Sequence, residues 1–244
     1  MLQAVTFDFW NTLVADAHGA EREHRRAQIL HDELEALGRS VSRLALDDAL
    51  AGAFDYFDRV WVDEHRTPLC DELVDAALSP LGAQVPEDVR ARIVERFELL
   101  VLDLPPEPMP GAASALPQLA ERYRLAVICD TGWSPGHVLR RVLERYDMLA
   151  SFAYLFFSNE HGMSKPDVRV FRHTLAELGV RGPEAAHVGD IQRTDIAGAQ
   201  AAGMAAVHFI GANNRDAARS TGDLIVRHFD ELPAALGGLT CAGC

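Results

Sequence analysis

Ala4-Val5-Thr6-Phe7-Asp8-Phe9-Trp10-Asn11-Thr12-Leu13 is an apolar, β-branched and aromatic run that delivers an aspartate and then a turn-prone Asn-Thr pair. It reads as a buried parallel strand with Asp8 at its carboxyl end. Ligands of open α/β sheets bind at that edge, so a carboxylate there stands where chemistry takes place. Taken alone, Asp8 could equally be a capping or turn residue. Its meaning depends on what else the chain aims at the same edge.

From about Asp16 to Leu104 only helical periodicity is found. Glu21 to Leu37 carries Ile29, Leu30, Leu34 and Leu37 on one face, with Gly38 as a stop. Ser42 can cap a second helix, where Leu46, Leu50, Phe54, Phe57 and Trp61 recur at helical spacing; this aromatic stripe is read as packing. A third helix fits Leu69 to Leu78, and a fourth starts with Pro86 in its first turn. The proline-rich stretch Leu104 to Gly111 then marks a stiff boundary. Beyond it strands alternate with helices: strands at 125–129, 152–157, 186–189, 205–210 and 224–226, and helices at about 135–146, 166–178, 195–202 and from Asp230. This is the βαβ signature of a parallel sheet. The chain therefore divides into an α/β core (1–15 and 105–240), an all-helical insert (16–104) and a tail (241–244) expected to be disordered. An insert placed directly after a strand's carboxyl end overhangs the ligand edge as a lid.

Three later strand ends point to the same edge as Asp8. Asp130-Thr131-Gly132 offers a carboxylate, a hydroxyl and a glycine that lets backbone approach a ligand. Lys165 stands just before a helix, whose N-terminus already attracts anions. Gly189-Asp190 follows an apolar run, with Asp195 five positions on. Of 23 basic residues Lys165 alone is a lysine. In a chain that uses arginine wherever any cation serves, that residue points to a site needing a compact charge on a flexible stem.

Composition excludes several classes. A net charge of −13 opposes nucleic acid and anionic membranes as partners. No run approaches the roughly 18 apolar residues that span a bilayer. Met1 leads directly into the first strand, which leaves no room for a signal peptide, so a cytoplasmic location is expected. Four cysteines in 244 residues do not form a disulfide framework, and Cys241 and Cys244 lack the helix or partner pair that a redox or zinc site requires.

With these stretches in hand, the chain resembles the haloacid dehalogenase-like hydrolase superfamily over nearly its whole length. Asp8-Phe9-Trp10-Asn11-Thr12 matches its first motif, Lys165 its third, and Gly189-Asp190 with Asp195 its fourth; the insert matches the helical cap of its first cap type. The resemblance implies a Rossmann-like core and a carboxylate nucleophile, Asp8, that forms an aspartyl-phosphate on a small phosphorylated substrate. It implies Mg²⁺ held by Asp8, the Trp10 carbonyl and Asp190, with Asp195 coordinating through water or orienting Lys165. Lys165 would neutralise the nucleophile and the charge developing on phosphorus. Asn11, Thr12, Asp130, Thr131, Gly132 and Lys165 would contact the phosphate or substrate, with Thr131 as the catalytic hydroxyl. The sequence departs from the family at Trp10, where phosphatases carry a second aspartate that protonates the leaving group, a role worth about 10²–10⁴-fold. Asp16, His18 or His24 at the root of the cap could replace it. Two other readings stay open: a haloacid dehalogenase, whose halide leaves without protonation, and a catalytically weak binding or regulatory relative. A Schiff-base route through a cap lysine is excluded, because the cap has none. Arg59, Trp61, His65 and Arg66 are candidates for specificity, and a homodimer through the cap is the expected assembly if there is one.

Overall fold

The computed structural model describes residues 1–239. The tail at 241–244, expected to be disordered, lies outside them. In chain order the elements are β1 (Ala4–Phe7), β2 (Val14–Ala15), α1 (Gly19–Ala36), α2 (Arg43–Asp63), α3 (Cys70–Leu78), α4 (Glu87–Asp103) and β3 (Glu107–Pro108). They continue with α5 (Ala112–Ala120), β4 (Arg124–Cys129), α6 (Gly136–Arg145), β5 (Phe152–Phe157), α7 (Ser158–His161) and α8 (Val168–Leu178). The chain ends in β6 (Ala185–Gly189), α9 (Ala197–Ala201), β7 (Ala205–Phe209), β8 (Leu224–Val226) and α10 (Leu232–Gly238).

The sheet runs β5-β4-β1-β6-β7-β8, parallel at every pairing, with β1 at its centre. All four residues of β1 are buried, as expected for a strand covered on both faces. Their side chains alternate between two cores. Val5 and Phe7 pack with Leu125, Val127, Val188 and Phe209 on one side. Ala4 packs with Ala126, Ile128, Phe156 and Phe171 on the other. In β1, β4 and β6 the residue directly after the last paired position is an aspartate: Asp8, Asp130 and Asp190. Phe7 pairs with Val127 and Val188, so Asp130 and Asp190 stand two positions and one position further along their strands than Asp8, and all three carboxylates reach the same edge of the sheet.

The helical insert has its own core, in which Leu30, Leu34, Leu46, Leu73, Ile93 and Phe97 interlock. Ser42 caps α2 by accepting the Ala45 N–H at 3.3 Å, and Gly179 ends α8 in the left-handed region. Two differences from the sequence reading bear on the site. The proline-rich boundary is not merely a spacer: Glu107–Pro108 pairs antiparallel with Val14–Ala15, so the segments entering and leaving the helical insert are joined in a small ribbon. The helix expected over 195–202 begins instead as a π turn at Gln192–Ile196 before α9. The wider turn lets the Asp195 carboxylate fold back and accept the Ile191 N–H at 2.9 Å.

Candidate active site

Asp8, Trp10, Asn11, Asp130, Gly132, Lys165, Asp190 and Asp195 line one cavity of about 240 Å³, roofed by Phe57 and Trp61 of α2. At its floor Lys165 Nζ donates to Asp8 Oδ1 at 2.5 Å and to Asp195 Oδ1 at 2.6 Å, with all three residues buried. Burial alone would discharge Lys165, but Asp195, Asp8 and Asp130 override it and hold the ammonium well above its ordinary value. Asp195 goes the other way from a typical buried acid. Lys165 and His187 outweigh its desolvation and keep it ionised.

The carboxylates divide by what their oxygens already do. Asp195 is fully engaged: Oδ1 accepts from Lys165 and lies 3.2 Å from His187 Nε2, and Oδ2 accepts from Ile191 N and Thr194 Oγ1. Behind it Thr6 Oγ1 lies 2.7 Å from His187 Nδ1, which suits a neutral ring donating to Asp195; burial pushes the imidazole toward that neutral form. Gly189 makes the arrangement possible, since a Cβ there would stand 2.4 Å from Asp195 Cγ. Asp8 and Asp190 retain more free acceptor capacity. Asp190 Oδ2 takes one bond from Asn213 at 2.9 Å, and burial together with Asp195 raises its carboxyl to about 6. Burial, Asp195 and Asp190 likewise push Asp8 upward against the pull of Lys165.

Ligand oxygens of Asp8, Asp190 and Asp195 lie within 4.8 Å of one another. Fully ionised, these three carboxylates against the Lys165 ammonium would leave two negative charges in excess in a buried place; burial and that excess push Asp8 and Asp190 upward. A hard divalent cation with oxygen ligands fits that excess. Among the three, Asp8 and Asp190 have the oxygens to offer.

Asp130, directly before the hydroxyl expected at Thr131, takes the cavity-lining place after β4. Its Oδ1 accepts the Lys165 N–H at 3.0 Å and its Oδ2 accepts Trp61 Nε1 at 2.8 Å, so one carboxylate ties the cap to the lysine loop. Arg193 adds to this closure from 4.3 Å over the Trp61 ring. The structure does not bring Thr131 into the cavity. Its hydroxyl is buried, 3.0 Å from Ser158 Oγ, and accepts the Asn159 N–H at 3.2 Å. Thr12 is also buried, with no partner for its hydroxyl among the described residues. The aromatic stripe of α2, read as packing, is corrected for Phe57 and Trp61, which line the cavity. Of the other cap candidates, Arg59 stacks on Tyr56, Arg66 pairs with Glu64 and Glu72, and His65 contributes its carbonyl to the Ser164 N–H. Asp16 pairs with Arg22, His18 with Glu21, and His24 lines a separate surface hollow. None of these three lines the cavity that holds the carboxylates. The sequence reading missed His187 and Thr6; their signal was a pair of polar residues at inward positions of otherwise apolar strands.

A parallel sheet under a helical insert, with aspartates at three adjacent strand ends and one buried lysine bonded among them, is the arrangement of a carboxylate-and-lysine site. Residues 2–203 match the haloacid dehalogenase-like hydrolase family, and the chain belongs to it. It is 33% identical over 177 residues to phosphoserine phosphatase of Thermus thermophilus, covering 72% of this chain and 64% of that relative's length. It is 28% identical to glyceraldehyde 3-phosphate phosphatase of Methanothermobacter thermautotrophicus, covering 85% of each. Among solved structures, a 2-haloacid dehalogenase from Pseudomonas syringae superposes with a TM-score of 0.73 at 24% identity, over 97% of this chain and 99% of that one. A phosphatase of the same superfamily from Thermococcus onnurineus superposes at 0.66 and 23% identity, over 97% and 99%. At these identities the superpositions speak for the fold alone. No described helix is long and apolar enough to cross a membrane.

Proposed function

We propose that the protein is a Mg²⁺-dependent phosphohydrolase of a small phosphorylated metabolite, working through an aspartyl-phosphate on Asp8, with residues 16–104 as the cap. The observation that carries this reading is the buried Lys165 bridging Asp8 and Asp195 beside Asp190. Asp8 Oδ attacks phosphorus as the bond to the leaving oxygen breaks; water then attacks the acyl phosphate, releasing phosphate and restoring Asp8. Lys165 holds the nucleophile in line and offsets the charge on the equatorial oxygens. Asp195, saturated with hydrogen bonds, fixes Lys165 and is itself a positioning residue. Asp8, Asp190 and the Trp10 carbonyl would hold the cation, which when bound supplies the charge that lets a phosphate dianion enter among carboxylates. Trp10 supplies no proton, so esters of acidic alcohols, aryl phosphates and acyl phosphates are the favoured substrates. Relatives named as phosphatases support the reaction class.

The test is hydrolysis of 4-nitrophenyl phosphate with Mg²⁺ and with chelator, beside halide release from 2-chloropropionate. Mg²⁺-dependent turnover that disappears in Asp8→Asn supports the proposal. Chelator-insensitive halide release would replace it with the dehalogenase reading. Absence of both reactions, with Mg²⁺ still raising the Tm, would replace it with a binding module.

A further inference from the structure

One stretch of chain, His208 to Asp216, holds Asp190 and the turn that follows it by three hydrogen bonds. His208 lies on β7, paired with Gly189 of β6, and is fully buried. Its Nε2 stands 3.0 Å from the Asp190 carbonyl oxygen. A carbonyl only accepts, so that nitrogen carries the ring hydrogen and donates. The other ring nitrogen, Nδ1, is buried without a hydrogen-bond partner. A stranded acceptor is a cost to the core, so the bond to Asp190 is what the imidazole contributes there. Beyond β7 the chain turns at Gly211, where a Cβ would stand 2.6 Å from both the Arg227 carbonyl oxygen and the Phe209 ring. Two residues on, Asn213 donates from Nδ2 to Asp190 Oδ2 at 2.9 Å, while its Oδ1 accepts the Arg215 N–H at 3.2 Å. The Arg215 N–H fixes which end of the amide faces the carboxylate, because only the oxygen accepts. Asp216 Oδ2 then accepts the Gln192 N–H at 3.4 Å, fastening the loop to the first residue of the π turn. Asn213 thus presents a donor to Asp190, not a further oxygen.

We propose that His208 and Asn213 are positioning residues that set the affinity for the divalent cation: His208 fixes the main chain at Asp190, and Asn213 holds one carboxylate oxygen and leaves the other to the ion. Partners that orient a ligand in this way are worth about 10–100-fold in metal affinity. The arrangement divides the acids between two frames. Thr6 and His187 stand behind Asp195 and, through it, Lys165. His208 and Asn213 stand behind Asp190. Among the described residues the two frames share no hydrogen bond, so damage to the second falls on ion affinity before it falls on the lysine. This assignment rests on the Mg²⁺-dependent reading, and its test separates the two.

The probe is Mn²⁺, which suits the same oxygen ligands as Mg²⁺, titrated into the chelator-stripped full chain with the free ion counted by electron paramagnetic resonance. Wild type, Asn213→Ala, His208→Leu and His208→Gln are compared, with Asp190→Asn marking the site. The expected result is a Kd for Mn²⁺ raised about tenfold or more in Asn213→Ala and in His208→Leu. It is partly restored in His208→Gln, whose amide nitrogen reaches about as far as the imidazole Nε2. Turnover of 4-nitrophenyl phosphate at saturating Mg²⁺ falls less than the affinity does. A merely structural role would instead lower the Tm in chelator and leave the Kd where it was, which overturns the proposal. Binding that is lost in Asp190→Asn but kept in both Asn213→Ala and His208→Leu also overturns it and leaves the cation reading standing. No Mn²⁺ binding by the wild type, or binding indifferent to Asp190→Asn, overturns both. Should His208→Leu fail to fold, Asn213→Ala, at a half-buried loop position, decides alone.

Discussion

Trp10 and Gly189 show how single positions govern this site in opposite ways. In the proposed reaction Trp10 withholds an acid from the leaving group, and the residue lines the cavity that holds the carboxylates. Trp10→Asp is expected to raise turnover of alkyl phosphates about tenfold or more while changing aryl phosphates less, since a poor leaving group gains most from protonation. Rates for paired alkyl and aryl esters check this; an unchanged ratio in a folded variant would count against it. Gly189 acts by having no side chain. In Gly189→Ala the added methyl, 2.4 Å from Asp195 Cγ, must displace that carboxylate and with it Lys165. The expected outcome is a loss of kcat of at least tenfold with an unchanged far-ultraviolet circular dichroism spectrum. A parallel comparison separates the acids: Asp190→Asn should raise the Mg²⁺ concentration needed for half-maximal activity, whereas Asp195→Asn should lower kcat at every Mg²⁺ concentration.

At the scale of elements, the cap depends on polar as well as apolar contacts. Glu33 of α1 accepts from both Arg92 and Arg96 of α4, at 2.9 Å each. The hydrogen bond from Arg92 comes first among the effects that hold its carboxyl below the usual glutamate range. A depressed folded value means that the stabilisation is present above the ordinary glutamate pKa and is lost as pH falls through the folded one. Glu33→Gln should therefore cost ~1 kcal/mol at pH 7, a modest figure because both arginines are partly exposed. The difference from wild type should shrink on acidification, which urea unfolding at pH 7 and in stepwise more acid buffers will measure. A pH-independent difference would mean that packing, rather than charge, sets the effect. The pattern of α1 also explains what sequence reading did not find. Stepping back by fours from Leu34 and Leu30 lands on Arg26 and Arg22, so the apolar stripe ends in two buried cations. Period analysis of apolar residues passes over such positions because they break the hydrophobic pattern.

For the molecule as a whole, the parallel sheet and the convergence of Asp8, Asp130, Lys165 and Asp190 were legible, because apolar runs ending in aspartate mark the ligand edge of such a sheet. Thr131 differs from its expected place by one residue's worth of geometry: Asp130 takes the cavity-lining position after β4, and the hydroxyl beyond it turns inward to Ser158. The π turn at Gln192–Ile196 and the ribbon that joins β2 to β3 were not legible, since each is set by tertiary partners that have no local signature. The roof of the cavity, Phe57 and Trp61, has the same helical spacing as packing residues, and only the docking of the cap tells them apart. The lone lysine carries one more consequence. Apart from the chain's own terminal amine, Lys165 is the only primary amine in 244 residues, and it is 2% exposed. Acylating reagents therefore have a single side-chain target, and because Asp8 and Asp195 hold that amine protonated, labelling of Lys165 counted by mass spectrometry reports its release from those two carboxylates.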